Sequence, residues 1–364
     1  MTEYDEAACQ FVSSRGLLKS CQVRSMNPKS SCPTDLKYIQ DFISVQDDSS
    51  YNRNSIVSIY VCCDAFYNFM QEYAQQIHIP YVIICGDGDL TMFREAVPLH
   101  KVNQFVMFML NPNVRGLFSQ NMDIHDCRVF LKDKITKLWN ADATVFKKDE
   151  ASLMIYSSLE NAIKITQAKL KQIPIGMDYH TISTNPFHPW IMKINAALPT
   201  NGTTPIEQEG VLISDIRTGM KPFYQRKIRI YSNVMLCPDR FNDRVNAIQA
   251  IPEDLISQQT CFIPRISTWK NMLDYAFVLS PFGNGMDCHR TWEALLCGCI
   301  PIVRSSVFDE LFEGLPVLIV DKWEDVSLEL LVSTLAHFKD KYDNNELRYE
   351  KLELSYYTKM FDSI

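Results

Sequence analysis

The chain lacks any apolar run approaching the ~18–20 residues that would span a bilayer, so it is not organised around a membrane helix. Its first thirty residues, MTEYDEAACQFVSSRGLLKSCQVRSMNPKS, hold no apolar block of signal-peptide length. No long Lys/Arg run is present and the formal charge is −7. Grip on a nucleic-acid backbone needs clustered cations, so no nucleic-acid partner is expected. Neither a fixed-period repeat nor a low-complexity tract is apparent, which sets aside solenoids and disordered arrays.

What is present belongs to a folded globular protein: 46% of residues are hydrophobic and 22% charged. At 364 residues the chain is longer than one core usually serves, so two domains are expected. Several of its twelve cysteines sit inside apolar stretches, among them Cys62, Cys63, Cys85, Cys297 and Cys299. Free thiols bury readily, which favours reduced core cysteines over a disulfide framework. A cytoplasmic setting is the matching expectation, and a virus-encoded protein acting in host cytoplasm would fit it.

Short apolar runs alternate with helical patterns, the mark of an α/β protein with parallel sheets. In the first half, 55–63, 81–86, 104–110, 143–148 and 171–176 read as strands. The segments 64–77 and 151–170 carry apolar residues at helical spacing. NPFHPWIMKINAALPTNGTTP (185–205), rich in Pro, Asn, Thr and Gly, reads as the connection between halves. After it come a helix over 206–219 stopped by Gly219 and strands at 227–236, 260–264, 277–281, 300–306 and 315–320. Helices are expected at 267–276, 287–298 and about 327–340, and the tail has a helical pattern. The reading is two Rossmann-like domains facing a central cleft. Residues 1–200 form the N-terminal domain and 201–345 the C-terminal one, and 346–364 is a helix that packs back on the first.

The segment FVLSPFGNGMDCHRTWEALLCGCIPIVRSSVFDELFEGLPVLIV (277–320) carries the chemistry. A hydrophobic strand stops at Pro281 and enters a loop holding Gly283, Asn284 and Gly285. A helix then starts near Asp287, which reads as its N-cap. Glycines between a strand and a helix let backbone N–H groups approach an anion, and the helix start adds partial positive charge. His289 and Arg290 fall in the first turn, Arg290 with a permanently charged donor fork. Glu293 shares a face with Arg290 and can take two adjacent ribose hydroxyls. Gly298 suits the position just past the helix end.

The spacing SPxGxGxDxHRxWEAxxxGxIPIV resembles the C-terminal signature of exostosin-like glycosyltransferases and their viral and microbial relatives. The likeness is dense over about 277–325 and thin elsewhere, touching SSRGLLKSC (13–21) and IPIGMDYHT (173–181). It implies a GT-B fold and inverting, metal-independent transfer of a sugar from a nucleoside diphosphate donor. It points to UDP, with xylose or another pentose or hexose, and to an oligosaccharide or glycoprotein glycan as acceptor. No cofactor beyond that substrate is implied. Carried over position by position, Glu293 matches the donor-ribose carboxylate, and Gly283, Asn284, Gly285, His289 and Arg290 match the diphosphate-facing loop and helix start. Trp292 departs from the smaller or aliphatic residue common there. Arg240 and Arg244, just beyond the strand at 227–236, fall in the region from which a basic residue neutralises a departing diphosphate, Arg240 first because the turn Cys237-Pro238-Asp239 directly precedes it; a surface arginine is the alternative. Phe262, with Ile263 and Pro264, lines the base pocket or packs in the core.

Inverting transfer needs a base for the acceptor hydroxyl. Asp87 and Asp89 in ICGDGDL and Asp64 at a neighbouring strand end are the candidates, Asp87 first. Turn hydrogen bonding or helix capping would equally account for them. The polar cluster Asp123, His125, Asp126 and Cys127 has no CxxC or HExxH companion, so no metal is expected. Asp178 and His180 follow another strand end. A GT-B sugar-nucleotide epimerase and a noncatalytic nucleotide-sugar-binding module remain alternatives from sequence.

Overall fold

The computed structural model describes residues 6–25, 36–47, 55–86, 88, 91–92, 97, 102–146, 156–179, 204–236, 239–261 and 263–363. The chain divides into two compact units, Leu17–Ile173 with Tyr357–Ile364 and Met1–Gly16 with Pro174–Tyr356. Each contains one parallel sheet.

The first-sheet unit has strands β1 (Val57–Cys62), β2 (Tyr81–Gly86), β3 (Val114–Ser119) and β4 (Leu170–Gln172), joined in that order. Every residue of β1 and β2 is buried, as continuous apolar runs must be in a parallel sheet covered on both faces. Its helices are α1 (Lys37–Val45), α2 (Phe66–Glu72), α3 (Val102–Leu110), α4 (Ile124–Ala141) and α5 (Leu159–Ala168). Alternate residues Val57, Ile59 and Val61 join a core with Phe66, Phe69, Phe105 and Phe108 of α2 and α3. Phe66 and Phe108 meet edge-on at 5.6 Å.

Two expectations fail here. Residues 104–110 lie in α3, and the strand is the following segment, β3. QFVMFML is apolar on every face, so it has no periodicity to separate a buried helix from a buried strand. The Lys169 ammonium caps the end of α3, donating to the carbonyls of Met109 (2.7 Å) and Asn111 (3.0 Å). Residues Ala143–Phe146 form a 3-10 turn, with Phe146 packed on Trp139 at 4.7 Å, rather than a strand. The strand expected at 171–176 is shorter and starts one residue earlier, as β4. Residues 185–203 of the expected connection lie outside the described residues.

In the second-sheet unit, Thr204 opens α6 (Pro205–Val211) with a full capping box to Glu207. A π-helical turn, Leu212–Arg217, extends it to Gly219, whose φ is +73°. The strands are β5 (Lys227–Ser232), β6 (Ile256–Gln258), β7 (Tyr275–Leu279), β8 (Ile300–Arg304) and β9 (Leu318–Val320). The helices are α7 (Asp243–Ala250), α8 (Arg265–Met272), α9 (His289–Leu296) and α10 (Leu328–Asp343), and α11 (Leu354–Asp362) begins in this unit and ends in the other. The strand expected at 260–264 is displaced: β6 pairs Ile256–Gln258 with β5, and Pro264 is already the N-cap of α8. Phe277 and Leu279 of β7 pack with Ala247 of α7 and with Leu331 and Phe338 of α10. Tyr231 of β5 points the other way, beside Thr268 and Asn271 of α8. Helices therefore cover both faces.

The sheet order is β6-β5-β7-β8-β9. Strand order reverses between β5 and β7, the place where open α/β sheets bind ligands beyond the strands' carboxyl ends. The first sheet has no such reversal among its described strands. The last turns of α11 belong to the first-sheet unit, where Phe361 packs edge-on against Phe118 of β3 at 5.0 Å. No described helix is long and apolar enough to cross a membrane.

Candidate functional site

At the reversal, β5 and β7 both end in polar loops and two helices begin. Asp239 accepts from the amides of Phe241 (2.9 Å), Asp243 (3.2 Å) and Arg244 (3.3 Å). It thereby satisfies the orphan donors at the start of α7 and fixes Arg244 in its first turn. Asp243 is fully buried. Its carboxylate accepts from the Phe282 amide and from Trp323 Nε1, each at 2.9 Å, and pairs with Arg304 at 3.2 Å. One carboxylate thus ties α7 to the loop after β7.

That loop opens with Ser280, whose hydroxyl bonds Thr291 Oγ1 of α9 at 2.8 Å, both buried. The Gly283 amide donates to the Gly285 carbonyl at 3.0 Å, closing a tight turn. This donor is spent inside the loop and is not offered to a ligand. A Cβ at Gly283 would lie 3.0 Å from Arg244 Nη2, so the bare glycine lets the guanidinium rest on the loop. Asn284 is exposed and Gly285 half-buried.

The start of α9 differs from expectation. Its N-cap is Cys288, with no side-chain cap. Asp287 is buried and faces inward, accepting from the Ile175 amide (2.7 Å) and Trp292 Nε1 (2.8 Å). Burial pushes its carboxyl up to about 6 despite those bonds. Trp292 is fully buried with its N–H satisfied, so the departure at this position is one of packing. Burial pushes the Cys288 thiol up to about 11, which leaves it protonated and inert near neutral pH. Past the helix end, Gly298 has φ +68°, as expected at C′. Arg217 and Arg226 donate to the last carbonyls, Leu296 at 2.9 Å and Cys297 at 3.0 Å.

Arg290 donates from Nε to Asn233 Oδ1, just past β5, at 2.8 Å. Burial lowers its affinity for the proton, and the nearby positive charge of Arg244 lowers it further. Two half-buried guanidiniums from different helices therefore lie near one another at the strand reversal. His289 Nδ1 meets the Gly176 carbonyl at 2.6 Å. A carbonyl only accepts, so Nδ1 carries the proton and, in the neutral ring, the lone pair sits on Nε2. Glu293 does not pair with Arg290. Its Oε1 is ion-paired with Arg265 at the start of α8.

Arg265 is almost fully buried and is held from several sides. It donates to the Asp178 carbonyl and to Gln208 Oε1 (3.3 Å), and it stacks over the Trp269 ring at 5.0 Å. Gln208 in turn donates to the Tyr179 carbonyl at 3.0 Å. Neighbouring Glu209 accepts from Tyr179 Oη (2.8 Å) and from the Gln10 (2.6 Å) and Phe11 (3.0 Å) amides. Ser13 bridges Gly176 and Met177, and Gly176 lies against His289 of α9.

The expected residues therefore divide. Gly283, Arg244, Arg290 and Asn233 lie together at the reversal, with His289 and Glu293 on the same helix. Arg240 is exposed, with its guanidinium over Phe241 at 5.4 Å. Phe241 packs on Phe282 of the loop at 5.6 Å. Asp64 lies in a 3-10 turn after β1, beside Gly88. Asp123 caps α4 through the Asp126 amide at 2.9 Å, and Cys127 is in the core. Among the described residues no group of His, Cys, Asp or Glu could hold a metal ion. Asp87, Asp89, His180 and Phe262 lie outside the described residues. Sequence reading missed Asn233, Asp243 and Arg265. The only signal for Arg265 was its place after Pro264 at a helix start.

No protein-family model matches this sequence. No curated protein matches it either. Among solved structures, Anabaena HepE in complex with UDP-glucose aligns over 92% of this chain and 94% of its own, at 12% identity and a TM-score of 0.25. HepE with UDP and glucose aligns over the same shares at 12% identity and a TM-score of 0.26. At that identity and score the likeness is too loose to assign a fold or an activity.

Proposed function

We propose that this chain is a GT-B glycosyltransferase that binds a nucleoside diphosphate sugar, with UDP as the nucleotide, at the carboxyl edge of its second sheet. The observation that supports it is the pairing of Arg244 and Arg290 at the strand reversal. Like charges brought together where water is partly excluded are costly, and a diphosphate placed between them would offset that cost. The same cations would stabilise the negative charge that a departing diphosphate gains during transfer. Amides at the start of α9 and the carboxylate of Glu293 complete the reading: phosphate at the helix start, ribose one turn further in. The acceptor is a glycan hydroxyl, deprotonated by Asp87 or Asp64, with inversion and without metal.

Thermal denaturation against nucleoside diphosphates and their sugars tests the donor part. A ligand at a hundredfold its Kd stabilises the native state by about 2.7 kcal/mol. A shift of several degrees is expected with UDP or a UDP-sugar, unchanged by EDTA and absent in Arg244→Ala and Arg290→Ala. If the folded wild-type protein shows no shift with any nucleoside diphosphate, the proposal fails. For the acceptor part, Asp87→Asn or Asp64→Asn should keep the UDP shift and abolish sugar transfer.

A further inference from the structure

The geometry points to Arg265 as a positioning residue that sets Glu293 to read the ribose of the donor. The inference rests on the UDP-site reading above and goes beyond it in naming what holds the ribose carboxylate in place. A carboxylate that chelates two vicinal hydroxyls must keep one orientation, because each hydrogen bond to a charged acceptor weakens steeply off its axis. Glu293 cannot hold itself. It lies on α9 with a flexible side chain, and the cation one turn before it, Arg290, is turned away to Asn233.

Arg265 supplies the missing constraint. Its guanidinium reaches Glu293 Oε1 from a different helix. The rest of the fork is fixed by the Asp178 carbonyl, Gln208 Oε1 and the Trp269 ring. Of those partners, Gln208 is itself tied to the Tyr179 carbonyl and Trp269 is packed in the interior. Arg265 therefore transmits the position of a rigid, buried scaffold to Glu293. Because it takes up Oε1, Oε2 is the oxygen left to meet the sugar.

The readout is discrimination between UDP and 2′-deoxy-UDP, measured by calorimetric titration of the whole chain. A hydroxyl donated to an ionised carboxylate is expected to favour UDP by about tenfold or more. Glu293→Gln should bring the ratio toward one by weakening UDP to about the affinity of 2′-deoxy-UDP, the remaining binding being carried by Arg244 and Arg290. Arg265→Met should do the same without touching the ligand. Arg265→Lys keeps a cation opposite Glu293 but loses the fork, and should lower the ratio to an intermediate value. That variant serves if Arg265→Met does not fold.

Failure of the two readings is distinguishable. Absence of UDP binding to the wild-type protein sinks the donor site itself. UDP binding with full discrimination retained in a folded Arg265 variant sinks the positioning role. So does loss of all UDP binding in folded Arg265→Lys, since a residue acting only through the ribose carboxylate would spare the diphosphate contacts.

Discussion

At the scale of single residues, two glycines separate a binding role from a folding role. A Cβ at Gly283 would crowd the far end of the Arg244 side chain at 3.0 Å and make ordinary contact with Cys288 Sγ at 3.6 Å. Gly283→Ala should therefore leave the melting temperature within about a degree or two of wild type. It should weaken UDP roughly three- to tenfold by displacing that guanidinium. At Gly176 the added carbon would sit 2.2 Å from the Val12 carbonyl oxygen, on a backbone with φ +63°. Neither backbone can move cheaply, so Gly176→Ala should cost more than about 2 kcal/mol and show as a lower urea midpoint. Equal losses of stability in the two variants would refute this division.

At the scale of elements, α3 shows what apolar composition hides. The sequence of this helix gives no periodicity, and its end is marked by an amine sixty positions away in the chain. Burial lowers the Lys169 pKa to about 7. The carbonyls of Met109 and Asn111 receive its nearest hydrogen bonds, with Tyr156 Oη farther off at 3.5 Å. Between pH 7 and about 10 the unfolded chain holds a proton there that the native chain has released, so stability should rise with pH across that window. The urea midpoint should increase from pH 7.5 to 9.5 in the wild-type protein, and Lys169→Met should lose much of that increase, the remainder belonging to Lys351, whose pKa burial lowers to about 8. An identical rise in both would place the titrating group elsewhere.

The segment around α9 was far more legible. A hydrophobic strand cut by Pro281, a glycine loop, an amphipathic helix closed by Gly298 and a second hydrophobic strand each carry a local signal, and all four formed. Which side chains meet was not legible. Arg244 approaches Gly283, and Arg290 reaches Asn233, because β5 and β7 are neighbours in space although β6 separates them in sequence. Pairing across a strand reversal has no local periodicity to announce it. Asp287 illustrates the same limit: next to a helix start its sequence position reads as a cap, yet the indole of Trp292 and the Ile175 amide draw it inward.

Across the described residues, the ten cysteines are thiols, and most are buried. Burial raises the pKa of Cys85 and of Cys297 well above the ordinary thiol range, so neither is a nucleophile in the folded protein. Cys261 is exposed. Brief alkylation under native conditions, followed by peptide mass mapping, should mark Cys261 and leave Cys62, Cys63 and Cys85 unmarked until denaturant is added. Labelling of Cys85 as fast as Cys261 would contradict the packing of the first sheet.

The buried carboxylate of Glu209 has a practical corollary for anyone dissecting the protein. Two of its three donors are main-chain amides of Gln10 and Phe11, and the third, Tyr179, precedes α6. An expression fragment beginning at residue 201 would leave that charge stranded in an apolar interior and would strip Arg265 of its Asp178 support. The second-sheet unit is thus a non-contiguous piece of polypeptide. To isolate it, residues near the start would have to be stitched to 174 onward by a designed connection, rather than cut free with one pair of primers.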